Sequence, residues 1–308
     1  EMQRSLVGSE MCIRDRLWTG GRYFIQATAQ LEGTTVELMK MGEPGVPEMN
    51  AYIEEVLKEG ETLGFDGRVV SVGEGEGYAA IAGKKNAKVN YQVDLIDEIW
   101  EDRPVLSEEP AFNLDVKYAG ETVASKLARI REEMKEAGTN VHVVSTLDDI
   151  CWTLNIRGND IDFFPLVLSY GIITMDSFEL YIDERKLDDK LKAKLAKDGV
   201  NLHPYNDIYE DVKKFGSDVV AMIDPGKLNY ALFNNIPENV KTVKKRNPAI
   251  LMKAIKNPVE IENIRKAQIK DSVAHVRFMK WLKENVGKMR ITEMSASDKL
   301  DEFRAEMG

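Results

Sequence analysis

The sequence predicts an α/β fold in which helices flank a mixed β-sheet. Strand-like and helix-like apolar patterns alternate along the chain from Leu17 onward, which is the order typical of α/β proteins. A dense apolar block between Leu147 and Ile182 is long enough to form the core of a domain. Short segments also recur at a steady offset along the chain, which predicts two copies of one fold.

The first copy is predicted over residues 17–115, where a strand ends at Leu17-Trp18-Thr19 and Gly20-Gly21 makes a tight turn. Its other elements, read from apolar spacing, are helices at 23–31, 49–57 and 78–87 and strands near 36–39, 63–65 and 88–93. The glycines of the run 73–77 resemble a phosphate-binding loop. Two acids lie among them and no Lys or Arg follows at the needed spacing, so we exclude that function.

The second copy is predicted over residues 116–250, after an acidic linker at 97–110. Its first helix, Glu121 to Ala137, carries one apolar face and stops at Gly138. Turns are expected at 157–160, where Arg, Gly, Asn and Asp follow one another, and at 175–177. The remaining elements are strands at 141–144, 172–173, 178–182, 200–202 and 219–223 and helices at 187–198 and 208–215.

A third region is predicted to begin at residue 251. Residues 249–256 have a strand-like pattern, and Asn257 then provides a good N-cap, with Pro258 in the first turn and Glu260 three residues after the cap. An apolar stripe at helical spacing continues to about Asn285, and Thr292 is expected to cap another helix that reaches Met307.

The internal repeat is carried by three pairs of segments separated by about 160 residues. Residues 17–22, LWTGGR, align with 180–185, LYIDER. Residues 36–38 align with 200–202, and Phe65-Asp66 corresponds to Ile223-Asp224. Each match is weak alone, but the steady offset supports two copies of one fold.

Composition limits the function classes. At 308 residues, with 43% apolar and 31% charged residues, the chain can bury a core of two domains or more. A net charge of −10 argues against nucleic acid or an anionic membrane as a partner, and no apolar run is long enough to span a membrane. Cys12 and Cys151 cannot build a disulfide framework, which indicates a reducing, cytoplasmic location.

Residues 1–16 lack any lasting period and have no apolar segment of a signal peptide. They contain SLVGSEMCIRDR, which is similar to adapter-derived sequence at the ends of assembled reading frames. We therefore expect a non-native segment here, and a fragment that is truncated at both ends.

Four segments, at 17–33, 97–110, 147–174 and 251–287, resemble the three-domain Xaa-Pro aminopeptidases of the creatinase/prolidase superfamily. The sharpest match is LDDICWTLNIRGNDI followed by PLVLSYGIIT. The resemblance implies two similar creatinase-N-terminal-like domains, the first one truncated, followed by the first helices of a pita-bread catalytic domain. The predicted boundaries are 17–115, 116–250 and 251–308.

Members of that family release the N-terminal residue from peptides with proline in second position. They use two divalent metal ions, usually manganese, held by two Asp, one His and two Glu of the catalytic domain. The resemblance places those ligands after the last residue of this chain, so we expect no catalytic residue, no metal ligand and no peptidase activity here. In the intact enzyme, the region would cover the cleft and limit substrates to short peptides, and a homodimer is allowed.

One residue is expected to bind peptide. Arg22 in WTGGRYF matches the family's peptide-binding arginine in WTDGRYF, although Gly20 stands where the family commonly has Asp. A guanidinium can fork onto a carbonyl or carboxylate, which suits this role. The alternative is a surface arginine after a tight turn. Arg157 and Asn159 are second candidates, either for lining the cleft or for holding a domain interface.

Two other functions stay open at this stage. One is a non-catalytic peptide- or histone-binding module of the same superfamily, and the other is a creatinase-type hydrolase, although such hydrolases have two domains. His142, His203 and His275 lack a second ligand at metal-binding spacing, so structural roles are predicted for them.

Overall fold

The computed structural model describes residues 3–5 and 15–308, so most of the segment predicted to be non-native, including Cys12, lies outside the described residues. We call the elements before residue 91 the first unit. They are β1 (Gln3–Ser5), β2 (Arg16–Thr19), α1 (Phe24–Leu31), β3 (Glu37–Lys40), α2 (Met49–Val56), β4 (Thr62–Gly64), α3 (Val72–Lys84) and β5 (Lys88–Asn90). Strand β2 lies between antiparallel β1 and parallel β3, and β4 pairs in parallel with β5.

The helix predicted over residues 78–87 begins six residues earlier, so it includes the glycine-rich run, which is a correction of its bounds. Helix α3 begins at Val72 and includes Gly73, Gly75 and Gly77. The helix is possible because Ser71 forms a capping box with Glu74, which satisfies free N–H groups of the first turn. Gly75 is required by packing, since a Cβ built there would lie 2.2 Å from the Tyr230 ring.

The elements from residue 112 to residue 244 form the second unit. They are β6 (Phe112–Asn113), α4 (Val116–Ala119), α5 (Val123–Glu136), β7 (Val141–Val144), α6 (Leu147–Leu154), β8 (Ile156–Arg157), β9 (Ser169–Thr174), β10 (Phe178–Ile182), α7 (Asp189–Lys197), β11 (Val200–His203), α8 (Ile208–Asp211), β12 (Val220–Ile223), α9 (Tyr230–Asn234) and β13 (Lys241–Lys244). Its six-stranded mixed sheet has the order β11-β10-β9-β7-β12-β13, with β9 antiparallel to both neighbours. Buried residues pack on both faces of this sheet.

The internal repeat is visible in the strand connections. In the first unit β2 is followed by a 3₁₀ turn, α1 and the parallel strand β3, and in the second unit β10 is followed by a 3₁₀ turn, α7 and the parallel strand β11. The connection β4-α3-β5 likewise corresponds to β12-α9-β13, again between parallel strands. The predicted offset therefore relates equivalent elements.

The last region contains α10 (Ala249–Ala254), α11 (Pro258–Asn285) and α12 (Glu293–Ala305). The strand-like prediction for residues 249–256 is wrong, because Ala249–Ala254 forms a helix with Pro248 at its N-cap. The side chain of Asn247 accepts a hydrogen bond from the Ala249 N–H at the start of this helix. The predicted caps Asn257 and Thr292 are confirmed. None of the helices in the described residues combines the length and the apolar character needed to cross a membrane.

Candidate functional site

Arg22 lies in the 3₁₀ turn Gly21–Tyr23, directly after strand β2. The residue is exposed, and within the described part of the chain its side chain makes no hydrogen bond or ion pair. Gly20 occupies the N-cap of this turn and has no side chain to hold the guanidinium. Among the described residues, no side chain orients the Arg22 guanidinium.

The equivalent position in the second unit shows an oriented arginine. Arg185 follows β10 as Arg22 follows β2, and Asp183 stands where the first unit has Gly20. Asp183 caps the turn and accepts hydrogen bonds from Nε and Nη2 of Arg185, which hold the pKa of Asp183 at about 2. Arg185 is also paired with Glu108 at 2.6 Å. The side chain of residue 183 fixes this guanidinium, and Gly20 lacks that capacity.

Arg157 has a structural role. Its Nη1 donates to the carbonyl oxygens of Cys151 and Ile156, at 2.8 Å each. The first of these carbonyls lies in the last turn of α6, where it also accepts from the Asn155 backbone N–H, so Arg157 adds a second hydrogen bond at this helix end. Burial lowers the pKa of the Arg157 guanidinium. This geometry suits a group that holds the end of α6.

Two further cations satisfy the same helix end. Lys126 Nζ donates to Trp152 O at 2.7 Å and to Asn155 Oδ1 at 2.6 Å, and Lys194 Nζ donates to Leu154 O at 3.0 Å. Cations at a helix C-terminus interact favourably with the helix dipole. Lys126 is only 2% exposed, and its burial lowers its pKa to about 8.

The turn expected at 157–160 lies at 162–163 instead, because Arg157 ends strand β8. Asn159 is exposed in the loop after β8, and its neighbour Asp160 anchors that loop. Asp160 Oδ2 accepts from Lys186 Nζ at 2.6 Å and from the Leu168 N–H at 2.7 Å, and both charged side chains are almost fully buried. Sequence reasoning missed this pair, because Lys186 lies in a different turn and no local pattern links it to Asp160. The buried side chain of Asp160 therefore holds the loop in place, while Asn159 faces solvent.

A hollow of about 360 Å³ lies between α6 and α11. Arg157 and Trp152 line it from the second unit, and Glu260 and Ile264 line it from α11. Neither Arg22 nor Asn159 is part of its lining. The structure therefore does not gather the three predicted residues into one site.

The histidines have structural surroundings. His142 is buried between Met222 O and Asn247 Oδ1, at 3.1 and 3.2 Å from its two ring nitrogens, and burial lowers its pKa. His203 contacts Glu179 at 2.7 Å and stacks on Tyr181, whereas His275 is exposed on α11. No group of three or more acid, His or Cys side chains within the described ranges could hold a metal ion. The described residues therefore do not fit a metal centre.

Comparison with known proteins identifies the relatives. Residues 102–260 match the creatinase/prolidase N-terminal domain family. Aminopeptidase P2 of Arabidopsis thaliana is 33% identical over 97% of this chain and 47% of its own length. Xaa-Pro aminopeptidase app-1 of Caenorhabditis elegans is 34% identical over 94% of this chain and 48% of its own length. The chain thus spans about half the length of the curated relatives it matches.

A solved structure gives the same result. The X-prolyl aminopeptidase from Caenorhabditis elegans, described as a cytosolic enzyme with a di-nuclear active site, superposes with a TM-score of 0.88 at 32% identity. The superposition covers 94% of this chain and 48% of that enzyme. It confirms the predicted fold class. The chain belongs to the creatinase/prolidase N-terminal domain family.

Proposed function

We propose that the chain is the N-terminal region of a metal-dependent Xaa-Pro aminopeptidase, which releases the N-terminal residue from peptides with proline in second position. The observation that carries this proposal is the match to Xaa-Pro aminopeptidases over 94–97% of the chain. Two divalent ions, manganese in the first instance, would act in the intact cytoplasmic enzyme. The di-nuclear site of the Caenorhabditis elegans enzyme supports two ions.

Within that enzyme, the described region would cover the cleft, restrict substrates to short peptides and supply Arg22. The guanidinium of Arg22 is exposed and has no partner among the described residues, which suits it to a peptide carbonyl or carboxylate. Arg157 and Asn159 would contribute less. Arg157 already holds the end of α6, and Asn159 belongs to a loop fixed by Asp160.

The test compares this chain with the same chain extended by its natural downstream sequence. With Mn²⁺, the extended protein should hydrolyse an Xaa-Pro peptide, whereas the chain alone should not. In the extended protein, Arg22→Ala should raise KM about tenfold, the loss expected for one charge-assisted hydrogen bond. Lys58→Ala removes another exposed cation of the first unit and should leave KM unchanged. An extended protein without Xaa-Pro hydrolysis would rule out the function, and equal KM values for wild type and Arg22→Ala would rule out the role of Arg22.

A further inference from the structure

The two units meet through segments 67–76 and 225–231, which we call the clasp. Four backbone hydrogen bonds join them: Val72 N–H to Leu228 O at 2.9 Å, Tyr230 N–H to Val70 O at 2.9 Å, Gly73 N–H to Pro225 O at 2.8 Å, and Ala231 N–H to Gly67 O at 2.8 Å. The repeat makes Val70 equivalent to Leu228 and Val72 equivalent to Tyr230, and it relates Gly67 to Pro225 in the same way. Each bond therefore has a counterpart of the same length in which donor and acceptor units are exchanged.

The helix caps of the two units are also in reciprocal contact. Ser71 caps α3 and Asn229 caps α9, and these two equivalent residues form an antiparallel bridge with each other. Reciprocal contact between equivalent residues is the mark of a two-fold interface between identical subunits. The clasp has the contact pattern of such an interface, within one chain.

Side chains make the clasp a packed interface. The ring of Tyr230 lies against Gly75, with its centroid 5.5 Å from that of Phe65 and 5.1 Å from that of Tyr91. Val72 is fully buried and belongs to the core cluster of the second unit, together with Ile223, Leu228 and Leu232. Apolar side chains of each unit are thus removed from water by the other.

Charged groups flank this packing. The guanidinium of Arg68 lies 4.4 Å from the centre of the Tyr209 ring and contacts Asn206, and Lys244 is paired with Glu76. The middle of the covalent linker is far more exposed than the clasp. Val105 and Leu106, in its irregular part, are 85% and 60% exposed.

We propose that the clasp is a self-sufficient interaction surface, and that each unit recognises the other as one subunit of a symmetric dimer recognises its partner. The linker keeps the units at high effective concentration but does not hold them in place. The two units therefore act as one rigid body. This inference does not depend on the peptidase function proposed above.

The experiment cuts the linker of the folded, full chain. A specific protease site inserted between Val105 and Leu106 separates the chain into residues 1–105 and 106–308 without touching the clasp. After cleavage, the two pieces should elute together in size-exclusion chromatography at micromolar concentration, at the position of the uncut chain. Pieces that separate after cleavage would overturn the proposal.

Variants show whether the clasp is responsible. Gly75→Ala places a Cβ against the Tyr230 ring, whereas a Cβ at Gly77 of the same helix meets nothing within 4 Å. After cleavage, the two pieces of the Gly75→Ala protein should dissociate at a concentration at least tenfold higher than the two pieces of wild type. The pieces of the Gly77→Ala protein should dissociate at the wild-type concentration. Circular dichroism of the uncut proteins checks that both variants are folded.

A double variant keeps the test decisive if Gly75→Ala disturbs the first unit. Tyr230→Ala weakens association by itself, but it also removes the ring that the new Cβ at position 75 would strike. Gly75→Ala should therefore weaken the association of the two pieces when Tyr230 is present, and should change it little when it is combined with Tyr230→Ala. Equal effects of Gly75→Ala in the two backgrounds, or co-elution of all cut variants, would show that other contacts hold the units together.

Discussion

The two related arginines of this chain, Arg22 and Arg185, differ in the residue at the N-cap of their 3₁₀ turns. Arg185 is held by Asp183, whereas Arg22 follows Gly20 and has no anchor among the described residues. The second unit thus shows what an acid at position 20 would do in the first unit. Its carboxylate would cap the 3₁₀ turn and accept hydrogen bonds from Arg22, which would orient the Arg22 guanidinium.

We expect Gly20→Asp to order Arg22. The new carboxylate should accept from the Arg22 side chain as Asp183 does from Arg185. NMR order parameters of the Arg22 Nε–H group report this directly, and they should rise toward those of Arg185. Gly20→Asn keeps the size without the charge and should give a smaller rise. An unchanged order parameter in Gly20→Asp would contradict the equivalence of the two turns.

Lys126 makes stability depend on pH. Burial lowers its pKa in the folded state from 10.5 to about 8, so folding is penalised while the lysine is charged in both states. The penalty is fully present below pH 8 and is relieved as pH rises from about 8 to 10.5. The contribution of Lys126 to the free energy of unfolding therefore increases over this window.

The comparison with Lys126→Met isolates this effect. The difference in the free energy of unfolding, wild type minus variant, should rise between pH 8 and 10 with a slope of at most about 1.4 kcal/mol per pH unit. Urea titrations at several pH values measure it. Tyrosines with raised pKa values are common to both proteins and cancel in the difference. A flat difference would show that Lys126 is charged in the fold up to pH 10.

At the scale of elements, the stability of α11 depends on its N-cap residue, Asn257. Asn257 accepts from the Glu260 N–H at 3.0 Å, and its Nδ2 donates to Ala119 O at 2.8 Å, which ties the helix to the end of α4. The space for it comes from Gly120, whose φ of +70° and missing Cβ bring the chain close to the Asn257 amide.

We expect Asn257→Ala to lower the free energy of unfolding by about 1–2 kcal/mol, the loss typical of an N-cap. Urea denaturation followed by circular dichroism measures the change. Asn263→Ala, in the same helix, is the matched control, since the Asn263 Nδ2 donates only weakly, at 3.4 Å, to the carbonyls of Lys117 and Tyr118 in α4. It should cost less than about 0.5 kcal/mol. Equal losses in the two variants would contradict the role of the cap.

The elements that sequence reasoning predicted are those with local signals. Asn257 and Thr292 indicate their helices through their own neighbours, and β9 and β10 are indicated by their apolar residues around a turn. The start of α3 and the whole of α10 were missed because distant residues decide them. Tyr230 needs the glycine at position 75, and Asn247, in a loop, accepts from the Ala249 N–H at the start of α10.

The same distinction applies to the candidate site. The position of Arg22 after a strand follows from the local pattern LWTGGR and was predicted. Arg157 was predicted either to line the cleft or to hold a domain interface, and its hydrogen bonds to the Cys151 and Ile156 carbonyls at the end of α6 were not foreseen, because they depend on where α6 ends. The Asp160–Lys186 pair joins two turns of the second unit, and no local pattern could indicate it.

At the scale of the whole molecule, the described part of the first unit contains a small buried apolar cluster. The cluster consists of Ile53, Leu57, Leu63, Tyr78, Ile81 and Ala82, and Leu17, Trp18, Ala27 and Met39 are buried outside it. Val72 of the same unit is buried instead in the core of the second unit. Because a small core stabilises a fold only weakly, the first unit should draw part of its stability from the clasp.

We therefore expect Val72→Ala to uncouple the unfolding of the two units. Wild type should unfold in one transition, whereas in Val72→Ala the first unit should unfold at lower urea concentration, with a loss of about 1–3 kcal/mol for the truncated side chain. Fluorine NMR of 5-fluorotryptophan-labelled protein follows Trp18 in the first unit and Trp152 in the second separately. Val200→Ala, on the edge strand β11 of the second unit and away from the clasp, is the control, and its two midpoints should move together. Coincident midpoints for Trp18 and Trp152 in Val72→Ala would show that the first unit does not depend on this contact.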